Sequence, residues 1–115
     1  MKYSERIEIL AMSNLTSSDT GVDGVVIWVS AGEFAGKGSP HGPRIKVVFG
    51  SRVTSEGLDN AVTATLEDPP RFIGDLSVKK KKEVTAFINK NRSVLLRYWA
   101  GGMSTREMID SIVKF

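Results

Sequence analysis

The sequence predicts an α+β fold over residues 1–115, a single domain in which a small antiparallel sheet of three to five strands packs against two C-terminal helices. Three observations point there. Short apolar runs, two of them alternating at least in part with polar residues, punctuate the first 75 positions. Asp68-Pro69-Pro70 then closes that region, because proline cannot donate to a strand ladder and restricts the residue before it. From Leu76 onward the apolar residues recur at helical spacing, and a glycine pair divides that stretch in two.

In order along the chain, Arg6 to Met12 leans to a first strand through Ile7 and Ile9. Ser13 to Gly24 is rich in Ser, Thr, Asp, Asn and Gly and reads as a mobile connector. Val25 to Ser30 is a β-branched and aromatic run, a strand buried on at least one face. Arg44 to Phe49 places Ile45, Val47 and Phe49 on one face and Arg44, Lys46 and Val48 on the other. Ala61 to Leu66 turns Val62, Ala64 and Leu66 inward and Thr63 and Thr65 outward, as in a sheet with one wet face. Arg71 to Ile73 adds a short edge strand. Ser77 is the N-cap of a helix over 78–100, with Val84, Phe87, Ile88, Leu95, Tyr98 and Trp99 on its apolar stripe. Gly101-Gly102 ends it. Ser104-Thr105-Arg106-Glu107 is a capping box that opens a second helix over 105–114, with Met108, Ile109, Ile112 and Val113 as its apolar face. Sheet residues Ile27, Ile45, Val47, Val62 and Leu66 are expected to meet the stripe of the long helix.

Composition narrows the function classes. The 115 residues are 41% hydrophobic and 25% charged, the make-up of a soluble globular domain. With no cysteine and one histidine, His41, disulfides, thiolate chemistry and a multi-histidine zinc site are excluded, and no cofactor is expected. The longest apolar run, Val25 to Val29, is too short to span a bilayer, and the N-terminus lacks a signal-peptide pattern, so a cytoplasmic protein with no membrane partner is expected. The net charge of +3 hides an asymmetry: residues 1–76 hold 7 Lys/Arg against 10 Asp/Glu, and residues 77–115 hold 9 against 3. A cationic region of this kind attracts polyanions or acidic proteins.

The candidate binding residues follow from that charge. Lys79, Lys80, Lys81 and Lys82 crowd the first turn of the long helix, where they oppose its dipole at a cost in stability. Lys90, Arg92 and Arg97 follow on the same helix; Lys79, Lys82, Lys90 and Arg97 are expected to spread around it rather than stack, and so not to trace one nucleic-acid footprint. Lys37, Arg44, Lys46 and Arg52 form a second basic group on the hairpin, and His41 in the intervening loop is a candidate binding residue beside them. The loop Gly32 to Pro43 is glycine-rich and basic, but its spacing fails as a phosphate loop and prolines stand where a helix should begin, so it reads as a connector. His41 is where any general acid–base proposal must start. No catalytic set forms around it in the sequence, and Tyr98 and Trp99 are expected in the core.

From about Val26 onward the order of features resembles a family of small bacterial domains of unknown function, encoded on mobile elements and often beside toxin–antitoxin-type genes. The resemblance is carried by Ile27-Trp28-Val29-Ser30 and by the loop and strand from Ser39 through Pro40, His41 and Arg44 to Val47. The stretch Thr63 to Lys81 continues it, and Asn91 to Trp99, with Leu95-Leu96-Arg97-Tyr98-Trp99 at its end, closes the match. It covers about three-quarters of the chain. One histidine stands where the motif usually carries two, with Arg44 near the second position. The resemblance implies a plasmid, phage or genomic-island setting. Together with the charge pattern it suggests a non-enzymatic, inhibitor- or antitoxin-like protein that binds an acidic protein or protein–nucleic-acid complex. A direct nucleic-acid-binding module is the alternative, and a small hydrolase or nuclease using His41 the third.

Overall fold

A computed structural model describes residues 12–30, 42–50 and 55–115. Among these, five strands form one sheet: β1 (Ser13–Leu15), β2 (Val25–Val29), β3 (Arg44–Phe49), β4 (Val62–Thr65) and β5 (Phe72–Ile73). The strands lie in chain order and every neighbouring pair is antiparallel. Short helices α1 (Ser17–Thr20) and α2 (Ser55–Asp59) precede β2 and β4. The long helix α3 (Val78–Trp99) and the shorter α4 (Thr105–Ser111) follow the sheet. The α+β fold is the one the sequence predicts, with five strands. The expected first strand over 6–12 lies outside the described residues except for Met12.

The register sorts the side chains onto two faces. Ile27 pairs with Val47 and Val29 with Ile45, and Ile45 in turn pairs with Ala64, so these residues share one face. They join Val84, Phe87, Ile88, Leu95, Tyr98 and Met108 in a single cluster. The expected contact between sheet and stripe is therefore present, except that Trp99 is half-buried rather than a core residue. Removing one of these large buried side chains should cost about 2–5 kcal/mol.

The opposite face is not wet. Trp28 and Val48 are buried there with Met12 and Leu58, so α2 covers part of it. Arg44, Lys46, Thr63 and Thr65 are buried as well. An alternation of Lys or Thr with Val reads as half-exposed in isolation. Here the second face is roofed, and the Lys46 ammonium donates to Thr63 Oγ1 at 2.6 Å. The expected connector over 13–24 is also structured. Its β1 strand pairs with β2, and its α1 turn is held by the Asp19 carboxylate, which accepts from the Thr16 N–H at 2.9 Å.

The helix boundaries fall where the caps place them. Ser77 Oγ accepts from the Lys80 N–H at 3.1 Å. At the far end, the Gly101 N–H donates to the Tyr98 carbonyl and the Gly102 N–H to the Arg97 carbonyl, a paired closure that needs the left-handed φ of +80° at Gly101. Ser104 and Glu107 then cap each other reciprocally. The second helix is shorter than expected. Only Met108 of its apolar face is fully buried; Ile109 and Val113 are exposed, and Ile112 is half-buried. Residues 112–115 instead run extended beside α3. Buried Asn91 accepts from the Val113 N–H and donates to the Val113 carbonyl, both at 2.8 Å. The Phe115 N–H reaches the Thr20 carbonyl.

Candidate interaction surface

The sequence of α3 carries seven cations against one carboxylate, Glu83. Packing against the sheet assigns three of the seven to internal work. Lys80 donates to Glu83 at 2.9 Å and to the Asp23 carbonyl at 2.8 Å, tying the first turn of α3 to the chain before β2. Lys81 lies over the Phe72 ring, 6.0 Å from its centroid. Arg92 donates to the Leu66 and Glu67 carbonyls and to Asn89, which binds the end of β4 to the helix. These contacts hold the fold. All three side chains are half-buried.

Four cations remain on the outer side: Lys79, Lys82, Lys90 and Arg97, all exposed. Lys90 makes one long hydrogen bond, 3.3 Å, to the Lys114 carbonyl. The side chains of Lys79, Lys82 and Arg97 make no hydrogen bond or ion pair among the described residues. At 100° per residue the four fall within an arc of about 80°, and at 1.5 Å per residue they span about 27 Å of helix axis. Ala86 and Ser93 occupy the same arc between them. The expected spread around the helix is thus corrected. Once three cations are turned inward or sideways, those left trace one lane. Its signal was in the sequence, in the recurrence 79, 82, 86, 90, 93, 97 read at helical period.

The other expected binding residues do not join this surface. Arg44 and Lys46 lie on the roofed sheet face at 3% and 7% exposure, which removes them as a surface patch. The Arg44 guanidinium sits 5.6 Å from the centre of the Trp99 ring, and its Nη1 donates to the Gly42 carbonyl. Lys37, His41 and Arg52 lie outside the described residues, as does most of the loop 32–43. Of the four-lysine run, two members belong to the lane and two to the fold.

A cleft of about 680 Å³ opens at the end of the sheet from which α3 departs. Glu56, Asp59 and Asp75 line it beside Phe49 and Asn60. Among the described residues its lining carries carboxylates and no Lys or Arg, opposite in sign to the lane. No group of three or more metal-ligating side chains occurs among the described residues, and none of their helices is long and apolar enough to cross a membrane. The resolved shifts in acidity belong to an exposed pair: a hydrogen bond from Arg71 holds the Glu67 carboxyl below its usual range, and Arg71 is raised in turn. No protein-family model, curated protein or solved structure matches the chain.

Proposed function

We propose that this protein is a non-enzymatic interaction module that engages an acidic protein or protein–nucleic-acid target through the outer face of α3. An inhibitor- or antitoxin-like role suits a small, cysteine-free domain of this kind, and the sequence resemblance implies a mobile-element setting for it. The observation that supports this reading is the sorting of the α3 cations. A solvated helix ordinarily intersperses both signs of charge, which gains from i,i+4 pairing and avoids self-repulsion. This one keeps four cations on one lane with no carboxylate among them, and the only carboxylate of the helix is held by Lys80. A lane of one sign raises the local concentration of anionic partners and speeds their encounter.

The test is affinity capture from the native host with tagged protein, comparing the parent with a charge-reversed lane, Lys79→Glu, Lys82→Glu, Lys90→Glu and Arg97→Glu. A partner identified by mass spectrometry with the parent should be lost with the variant, while both proteins melt cooperatively. Retention of the same partner by the variant would refute the reading.

A further inference from the structure

We infer that the partner surface lying on the α3 lane is the phosphate backbone of a double-helical nucleic acid, bound with little dependence on base sequence. This rests on the proposed function and names the class of partner for the same surface. Three features favour phosphate over protein. Protein interfaces are depleted in lysine and centre on buried aromatic or aliphatic anchors, whereas the lane is three lysines and an arginine with Ala86 and Ser93 between them. The exposed large apolar side chains of α3 are Val78 and Leu96. They stand eighteen residues, about 27 Å, apart along the axis and form no patch. An ammonium on a flexible stem and a guanidinium fork are, in contrast, the groups that bind phosphate oxygens.

The same surface argues for a duplex over a single strand. Single strands are held by stacking bases on exposed aromatic rings. On α3, Phe87 and Tyr98 are buried, and Trp99 is half-buried with the Arg44 guanidinium over its ring. The lane offers no ring to a base. Its length suits a duplex: Lys82 and Lys90 lie about 12 Å apart along the axis, comparable with the width of the B-form major groove, so they can address phosphates on its two lips. Ala86, between them, is small enough not to hold the helix off the backbone. The lane places no Asn, Gln or carboxylate among its cations to read adenine or cytosine edges, and cations engaged on phosphate oxygens position the helix without specifying sequence.

The experiment measures binding of the full chain to a 24-base-pair duplex of mixed sequence, as DNA and as RNA, to the single strand, and to poly-L-glutamate, between 50 and 200 mM salt. Four phosphate contacts predict a log–log salt slope of about −3 to −4 for duplex DNA, hence roughly a 100-fold loss over that range. Lys82→Gln, Lys90→Gln and Arg97→Gln should each flatten the slope by about one unit. Arg71→Gln, an exposed cation off the helix, should leave it unchanged. Parent-like slopes in all three lane variants would overturn the inference, as would tighter binding of the single strand than of the duplex. Lane-dependent binding of poly-L-glutamate without duplex binding would overturn it while leaving the proposed function standing. Binding to none of the probes, with a partner still captured through the lane from the host, would likewise overturn the inference alone.

Discussion

Asn91 is the residue whose role is least expected from its position. It sits on the core-facing stripe of α3, fully buried, where the surrounding pattern calls for an aliphatic side chain. Its amide also donates to the Phe87 carbonyl, and its two remaining bonds hold the backbone of Val113. A buried amide is tolerated only when its donors and acceptor are matched, so Asn91 and the segment 112–115 stabilise each other. Asn91→Ala should lower unfolding free energy by about 1–3 kcal/mol. It should also speed amide exchange at Val113 and Phe115 well beyond that of the α3 core, which hydrogen-exchange mass spectrometry would resolve. Unchanged exchange at those amides would show that the segment is held by other contacts. Glu67 is the opposite case. Its carboxyl is held below the usual range by Arg71, so the pair contributes above that range and the contribution is lost as pH falls through the lowered value. Both partners are exposed, at 54% and 58%, so Glu67→Gln should flatten the acid limb of a melting-temperature profile while barely moving stability at neutral pH.

At the scale of elements, α3 is where local preference and tertiary demand conflict. Four lysines in its first turn oppose the dipole, yet the structure relieves only part of that conflict. Lys80 has found Glu83 and Asp23, and Lys81 a ring; Lys79 and Lys82 have neither. Replacing Lys79 and Lys82 with Glu should therefore raise stability by a few tenths of a kcal/mol per site, read as a higher melting temperature, whereas Lys80→Gln should lower it. If all three substitutions stabilise alike, the Lys80 contacts contribute nothing to the fold. Strands β2 to β5 and both caps were legible because alternation, prolines, Ser77, Gly101 and the Ser104–Glu107 pair are local signals. The roof over Arg44 and Lys46 was not, because burial of the second face depends on elements such as α2 that only the folded chain brings there. The same holds for α1. Residues 13–24 have loop composition, and it takes pairing with β2 and the Asp19 cap to give them structure. The lane of α3 was legible at helical period, but the partners that hold Lys80, Lys81 and Arg92 were not, since Asp23, Leu66 and Phe72 are remote in sequence from the residues they engage.

At the scale of the whole molecule, the charge is arranged in two opposed regions that meet where β5 gives way to α3. Asp75 lines the acidic cleft, and four positions later Lys79 begins the cationic lane. This proximity means that the cleft partly offsets the attraction of the lane for an anionic partner. The offset acts over about one Debye length, near 10 Å at 0.1 M salt, so it falls mainly on the Lys79 and Lys82 end. Neutralising the cleft with Glu56→Gln and Asp75→Asn should raise the association rate with a duplex nucleic acid at 50 mM salt by roughly two- to fivefold. The gain should shrink toward nothing by 300 mM, where screening confines each charge to its immediate neighbours. Dissociation should be unchanged, because both carboxylates line the cleft and neither lies on the α3 lane. A gain that persists at high salt, or one that appears in the dissociation rate, would mean that the cleft itself lies within the interface. The bound partner would then have to extend beyond the helix and over the end of the sheet.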